Sequence, residues 1–301
     1  MQSHFRLVAV AAALVAAGAA QATVTFDANL EHDVMHKSTQ GTTKGGTSNG
    51  GRVELNVKAE LAKSGDNFVN AKASLIVPTG GGDSVGIDDA WIQFGNSAVD
   101  LKIGRQEAAD LFPLGKDVVV EAAAAYGYRT NVLRGRIKTG QLHSVAGWNA
   151  APGLRVELGW VAEKSDDATK AFGVRPTLVY TTGALTLRAG VESYEVSNVR
   201  TTGAGASMSY AVSSDTTVNA SYGKNSDLNA SSLGLNAIIG AAGLGMVQDK
   251  TASNKATTYY AAYSFPLLGV KGATITPAIS SSKATGVDNL TAFKVRLNYA
   301  F

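Results

Sequence analysis

The chain ends on a segment with one apolar and one charged face. In "FKVRLNYAF", residues 293–301, apolar and aromatic residues take every second position, and Lys294, Arg296 and Asn298 lie between them. Successive side chains of a β-strand point to opposite faces, so this segment meets an apolar environment on one side and water on the other. The same period of two runs through "VTFDANL" (24–30) and "RVELNVKAEL" (52–61). This pattern predicts an all-β chain.

The amino terminus has a different pattern. "HFRLVAVAAALVAAGAAQA" (4–22) places Arg6 ahead of an apolar run and ends in small residues around Gln21. This is the pattern of a secretory cleavage site, and the run is short for a membrane helix, which needs about 18 apolar residues. We therefore predict a cleaved signal peptide over 1–22 and one β-barrel domain over 23–301. No later segment is apolar enough for a membrane helix.

Composition excludes several classes of function. The chain has no cysteine, so it can form neither a disulfide framework nor a thiolate metal site. A formal net charge of +3 does not indicate a nucleic-acid partner, which calls for a basic stripe. His32 and His36 share a strand face but have no third metal ligand nearby. The adjacent pair His143 and Ser144 would point to opposite faces, so it cannot form a catalytic dyad. We predict no enzyme activity, no metal and no cofactor.

Turn-forming clusters such as "SGDN" and "TTGA" divide the chain into regularly spaced segments. Short and long connections alternate, which is typical of up-and-down membrane barrels. A second interpretation splits 130–149 at "TGQLHS" and gives eighteen strands. We prefer sixteen, with a bulge in that segment: 23–36, 51–62, 68–77, 87–95, 98–106, 130–149, 154–164, 174–182, 185–197, 205–213, 216–224, 231–241, 244–251, 257–266, 273–283 and 290–301.

The cost of burying charge in lipid decides which strand face is outward. A Lys or Arg on the lipid face at the bilayer midplane costs about 2–4 kcal/mol, so Lys294 and Arg296 are predicted to point inward. The aromatic residues of the last strand then face lipid. Other aromatic residues near strand ends could form the interfacial girdles: Trp160, Tyr180, Tyr259, Tyr263 and Phe265.

Two motifs resemble those of Gram-negative general porins. "VDLKIGRQ" (99–106), followed by the longest connection in the chain, is similar to the strand before the constriction loop, especially in β-proteobacterial porins. The terminal "YAF" resembles the aromatic ending by which outer-membrane barrels are recognised during assembly. The loop signature Pro-Glu-Phe-Gly-Gly-Asp, common in that family, is absent, and "DLFPLGKDVVVEAAAAYGY" (110–128) stands in its place.

The resemblance implies a homotrimer of sixteen-stranded barrels in the bacterial outer membrane. Each barrel would be a water-filled channel narrowed by the third external loop, which folds inward. The implied partners are outer-membrane lipid, small solutes and the barrel-assembly machinery, which would recognise Phe301. The expected function is passive diffusion of small hydrophilic solutes and ions.

Charged residues could tune such a channel. An acidic loop opposite a basic wall would set a field across the pore. A simpler interpretation is that these charges only solvate the lining. The loop residues are Glu107, Asp110, Lys116, Asp117 and Glu121. The predicted basic wall consists of Lys58, Lys72, Lys102, Arg134, Arg136, Lys138, Arg155, Arg188, Lys294 and Arg296.

Three aromatic residues are candidates for sugar contact. Tyr126 and Tyr128 would share a strand face, and with Trp91 they could stack on a sugar ring. The two tyrosines could instead pack the loop against the wall or reach the membrane interface. A carbohydrate-preferring channel of the same architecture is therefore the alternative function.

Overall fold

The computed structural model describes residues 23–39, 44–80, 84–115, 127–136, 141–163, 171–196 and 199–301. The predicted signal peptide lies outside these residues. The described chain forms antiparallel strands: β1 Thr23–Lys37, β2 Gly46–Ser64, β3 Asn67–Pro78, β4 Gly86–Gly95, β5 Val99–Arg105, β6 Gln141–Ala151, β7 Leu154–Glu163, β8 Ala171–Thr182, β9 Leu185–Val196, β10 Val199–Ala211, β11 Thr216–Asn225, β12 Ala230–Ile239, β13 Ala242–Lys250, β14 Lys255–Tyr263, β15 Phe265–Pro266, β16 Ala273–Ala284 and β17 Leu290–Ala300.

These strands form one closed sheet. Each strand pairs with its neighbour in sequence, and β1 pairs with both β2 and β17. The closing register runs from Asn29 opposite Ala300 to Lys37 opposite Ala292. Only Ser264 separates β14 from β15, and both pair with β16, so they are two parts of one wall strand. The seventeen segments thus make the sixteen-stranded barrel that the sequence predicts.

Connections differ between the two ends of the barrel. At one end, two residues each join β8 to β9 and β12 to β13. Gly183 and Gly240 allow these tight turns because their φ angles are 55° and 54°, in the left-handed region that glycine adopts without strain. At the other end most connections are longer, although only two residues join β9 to β10, and the connection from β5 to β6 spans 106–140. Nowhere in the described ranges is there a helix long and apolar enough to cross a bilayer.

The predicted strand 130–149 is wrong in its first half. β6 begins only at Gln141, and residues 130–136 belong to the connection from β5. Thr130 and Arg136 have φ angles of 56° and 52°, which interrupt an extended backbone. Arg134 N donates to Asn131 O in a turn. The alternation in "LRGRIK" therefore does not come from a strand, and Arg134 and Arg136 do not lie on a wall strand as predicted.

The polar and apolar faces follow the predicted phase. In β17, Lys294 is 8% exposed, whereas Phe293 and Leu297 on the other face are 46% and 40% exposed. Tyr180, Tyr259, Tyr263 and Phe265 of the predicted girdle also lie exposed among apolar residues, and Trp160 is half-buried. An apolar face that remains exposed on the outside of a closed sheet is typical of a barrel solvated by lipid.

The tightest packing lies between the β5–β6 connection and the wall. Leu111 and Phe112 of the connection are almost fully buried, and Phe112 packs with Val247 of β13 and Tyr260 of β14. A soluble sandwich would instead pack two sheet faces against each other. In this chain the connection supplies part of the apolar core, and a second buried cluster consists of Ala262, Ala278 and Ala292 of the wall.

Candidate functional site

Ion pairs line the polar face of the wall. Lys58 Nζ lies 3.0 Å from Asp27 Oδ2. Arg296 donates to both carboxylate oxygens of Asp33, each at 2.6 Å. Since a carboxylate directly neutralises each of these cations, the wall here is charged but locally compensated.

The same arrangement continues along β3 to β7. Lys72 Nζ donates to Asp89 Oδ2 at 2.5 Å. Arg155 lies between two carboxylates, with Nη1 2.7 Å from Asp100 Oδ2 and Nε 2.9 Å from Glu157 Oε1. These charges therefore form a row of paired groups rather than a purely basic wall.

The base of the β5–β6 connection forms a charge cluster of its own. Arg134 Nη2 lies 3.1 Å from Glu107 Oε2, and Arg136 Nη2 lies 2.9 Å from Asp88 Oδ2 on β4. Burial alone would lower the pKa of Arg136, but the carboxylates of Glu107, Asp88 and Asp89 outweigh it and raise that pKa. Glu107, Arg134 and Arg136 of the connection thus neutralise each other locally.

A buried ion pair on the wall holds the second part of the connection. Arg175 of β8 and Glu192 of β9 lie 3.7 Å apart, with side chains 1% and 0% exposed. Glu192 accepts hydrogen bonds from the backbone N–H groups of Val132 and Leu133, at 3.2 and 3.0 Å. Arg175 donates to the carbonyl oxygens of Ala109 and Thr130 at 2.9 and 3.1 Å. Two oppositely charged wall residues therefore satisfy backbone groups that could not pair in a strand.

Tyr128 also contacts this ion pair, through Glu192. Its hydroxyl donates to Glu192 Oε1, and the side chain is only 4% exposed. Burial and the hydrogen bond to Glu192 raise the pKa of Tyr128 well above its ordinary value. The phenol therefore remains a hydrogen-bond donor to Glu192 at neutral pH.

The connection reaches as far as β12, β13 and β14. Asn236 Nδ2 donates to Pro113 O at 2.8 Å, and Tyr260 Oη donates to Leu114 O at 3.0 Å. Arg129 Nη2 lies 3.3 Å from Asp249 Oδ2. The connection is thus fixed to the wall by polar contacts at widely separated strands.

Wall glycines leave room for these contacts. A Cβ built on Gly203 would lie 2.3 Å from the Tyr128 ring, and one on Gly234 would lie 2.8 Å from the Phe112 ring. A Cβ on Gly190 would lie 2.8 Å from Leu111. Real Cβ atoms do not approach so closely, so glycine allows the connection to pack directly on the wall backbone.

The structure places the predicted wall residues as follows. The strand residues Lys58, Lys72, Lys102, Arg155, Arg188, Lys294 and Arg296 lie on the polar face in the predicted phase. Arg188 donates to Ser209 Oγ at 2.9 Å. The predicted loop residues Lys116, Asp117 and Glu121, and the predicted wall residue Lys138, lie outside the described residues.

Of the three aromatic residues predicted to contact a sugar, the two that the structure describes have different surroundings. Trp91 lies on the polar face of β4, with Lys102 Nζ 4.7 Å from its ring centroid, a cation–π distance. Tyr128 packs the connection against the wall, as the alternative interpretation expected. Tyr126 lies outside the described residues.

Sequence reasoning missed the residues that anchor the connection. Arg175, Glu192, Asn236, Asp249 and Tyr260 occupy alternating polar positions of their strands, like the predicted residues. Several neighbours on that face are glycines, a combination that could have indicated a docking surface. Their contacts to the connection span 44 to 146 residues in sequence. Among the residues that the structure describes, no group of three or more His, Cys, Asp or Glu side chains could hold a metal ion.

Solved structures decide what this architecture resembles. An engineered variant of the Rhodopseudomonas blastica porin superimposes with a TM-score of 0.64 at 13% identity, and the match covers 93% of this chain and 100% of that one. A loop-deleted form of OmpT, an outer membrane protein of Vibrio cholerae, superimposes with a TM-score of 0.66 at 14% identity, and the match covers 93% of this chain and 99% of that one. The chain has the porin fold.

Sequence comparison adds a narrower likeness. A family model described as "Porin-like glycoporin RafY" matches residues 14–147, which cover the first strands of the porin fold and the β5–β6 connection. No curated protein matches the chain.

Proposed function

We propose that the protein is an outer-membrane channel through which small hydrophilic solutes and ions diffuse passively. The observation that carries this proposal is a closed barrel whose outer face is apolar and whose other face bears ion pairs such as Lys58–Asp27 and Arg296–Asp33. A barrel of sixteen strands is wide enough to enclose an aqueous passage. Its likeness to porins of known fold agrees with this role.

We also propose that the β5–β6 connection lies inside the barrel and narrows the passage. A Cβ on Gly190 of β9 would meet Leu111, and Leu114 O accepts from Tyr260 of β14. Those strands are five intervals apart, or about 24 Å along the wall, whereas three residues of extended chain span about 10 Å. A short segment touches such distant strands most readily from the concave side.

The passage would then run beside β16, β17, β1, β2 and β3. The described contacts of the connection fall on β4, β5 and β7 to β14. The opposite part of the wall carries Asp33 with Arg296, and Asp27 with Lys58. Because these charges are paired, we propose a weakly selective pore. In the described part of the connection, Glu107 and Asp110 pair with Arg134, and such local ion pairs would weaken a field across the pore.

A carbohydrate-preferring channel is the second candidate. It is favoured by the description of the matching family model as a glycoporin and by Trp91 on the polar face. A tryptophan ring offers an apolar face on which a sugar can stack. Because Tyr128 is buried against Glu192, such a site would depend mainly on Trp91.

The expected partners follow from the same proposal. The exposed apolar face would meet lipid or neighbouring barrels of a homotrimer. Phe301 is 64% exposed and stacks on Tyr299 with ring centroids 5.1 Å apart, so it is accessible to assembly machinery.

Residues 1–22 would direct export and be removed. Amino-terminal sequencing of the mature protein should then begin at Thr23.

Recording from planar bilayers tests the function. Purified protein should give stepwise conductance, in threes for a trimer. Block that saturates with added oligosaccharide and weakens in Trp91→Ala would identify the carbohydrate channel. Insertion without any conductance would refute both candidates.

A further inference from the structure

Four lysines break the apolar pattern of the outer face. Lys224, Lys250, Lys255 and Lys283 are exposed on that face, near the ends of β11, β13, β14 and β16 that join the longer connections. Lys250 and Lys255 are register partners, and Lys224 and Lys250 both pair with Ser231. Within the described part of the chain, none of the four has a carboxylate partner. Together they form an uncompensated row, which we call the lysine row.

Two exposed tyrosines indicate the depth at which the lysine row lies in the membrane. On the same face, Tyr222 lies two residues from Lys224, and Tyr259 lies four residues from Lys255, both toward the strand middle. At about 3.3 Å per residue these offsets are about 7 and 13 Å. Tyr222 and Tyr259 are 48% and 60% exposed. Because tyrosine favours the membrane interface, the lysine row would lie at the level of lipid head groups.

Two adjoining hollows lie beneath the row. The first, about 470 Å³, is lined mainly by residues with polar groups, among them Lys255, Lys283, Thr257 and Ser281; we call it the head-group pocket. The second, about 630 Å³, is mostly apolar and is lined by Leu235, Ala237, Leu244 and Met246 among others; we call it the acyl groove. Tyr259 lines both. A cationic pocket that shares a lining residue with an apolar groove matches the two parts of an anionic lipid.

We propose that this surface binds a phosphorylated lipid of the membrane leaflet beside the longer connections. The ammonium groups of Lys255 and Lys283 bind its phosphate, and one acyl chain lies in the acyl groove. A free phosphate ion would gain nothing from the groove, whereas a lipid uses both hollows. This inference rests on the membrane placement proposed above.

The charge of the row sets the expected size of the effect. Each lysine near an anionic membrane surface strengthens binding by about five-fold. Lys255 and Lys283 line the pocket, so removing both charges should weaken binding by at least ten-fold. Lys224 and Lys250 lie outside the pocket lining and should contribute less.

Native mass spectrometry of the full barrel in neutral detergent tests the proposal. The probe is lipid A carrying both phosphates. Wild-type protein should retain it, and Lys255→Gln/Lys283→Gln should bind at least ten-fold more weakly. Ala237→Trp, which fills the acyl groove and keeps both charges, should also weaken binding. The control Lys44→Gln/Lys271→Gln removes two exposed lysines elsewhere and should bind like wild type.

Two further ligands identify the source of the phosphate. Dephosphorylated lipid A should bind far more weakly, and inorganic phosphate at the same concentration should not compete. Equal binding by the dephosphorylated lipid, or by Lys255→Gln/Lys283→Gln, would overturn the inference. Each variant is first checked for single-channel conductance. A wild-type barrel that conducts but does not bind phosphorylated lipid contradicts only this inference. A wild-type barrel without conductance contradicts the proposed function.

Discussion

Two parts of the barrel wall carry charge in different ways. On β8 and β9, Arg175 and Glu192 are buried beneath the β5–β6 connection and bind its backbone. On β17 and β1, Arg296 and Asp33 remain partly exposed, at 16% and 28%. Glycines such as Gly203 lie beside the first pair, where they contact the connection. The difference teaches that a charge on the polar face can either anchor a loop or remain exposed, depending on the space that its neighbours leave.

Removal of the buried anion should have the largest effect. In Glu192→Gln, Arg175 stays buried without its counter-charge, and breaking such a pair costs about 3–5 kcal/mol. The free energy of unfolding, from urea titration in detergent, should fall by about that amount. Single-channel current should also become noisier, because the connection loses its acceptor.

Glu195→Gln is the matched control on the same strand. Glu195 pairs at 3.8 Å with Arg200, and both side chains are largely exposed. Its removal should cost less than about 1 kcal/mol. Equal losses in the two variants would contradict the anchoring role of Glu192.

Filling the space beneath the connection should have a smaller effect. In Gly203→Ala the new methyl group would meet the Tyr128 ring, and overpacking typically costs about 1–3 kcal/mol. Gly50→Ala is the control, because its Cβ would meet nothing within 4 Å. We expect a lower urea midpoint for Gly203→Ala alone. If both variants keep the wild-type midpoint, Tyr128 does not pack on Gly203.

Breaking the exposed pair should change selectivity more than stability. Arg296→Gln removes one of the two cations beside Asp33, whose other partner, Lys294, lies 3.7 Å away, so the wall beside the proposed passage gains one net negative charge. The permeability ratio of cations to anions, taken from reversal potentials, should rise roughly two-fold. The double variant Asp33→Asn/Arg296→Gln should return the ratio toward wild type. An unchanged reversal potential in Arg296→Gln would place the passage elsewhere.

The smallest effect concerns a turn at the opposite end of the barrel. The hydroxyl and backbone N–H of Ser97 donate to Asp66 and lower the pKa of its carboxyl group. A lowered folded-state pKa stabilises the protein above the ordinary pKa of Asp, and this stabilisation disappears as pH falls through the lowered value. Asp66→Asn should therefore unfold at a slightly lower urea concentration than wild type at neutral pH, and the difference should vanish at acidic pH. A difference that persists at low pH would contradict this linkage.

The wall could be predicted from the sequence because phase is a local property. The alternation of Phe293, Lys294 and Val295 is enough to assign both faces of a strand, and membrane energetics decides which face is outward. The connection could not be predicted in this way. "LRGRIK" (133–138) alternates like a strand, but Arg136 within it and Thr130 just before it have positive φ angles, and the contacts of this segment are made with residues far along the chain.

The same limit applies to the anchoring residues. Tyr260 and Leu114 are 146 residues apart, and nothing near either residue indicates the other. Arg175 and Lys58 look alike in sequence, since both are cations at inward-phase strand positions. Only the fold separates the buried anchor from the exposed lining.

The most direct test compares cysteines placed in the two parts of the wall, because the native chain has none. In Lys58→Cys the thiol would lie beside the proposed passage. In Ser221→Cys it would lie on β11, where Ser221 is 4% exposed and is the register partner of Gly234 beneath Phe112. A bulky, water-soluble thiol reagent added during single-channel recording should lower the current of Lys58→Cys in discrete steps and leave that of Ser221→Cys unchanged. Block of Ser221→Cys without block of Lys58→Cys would contradict the proposed division of the barrel.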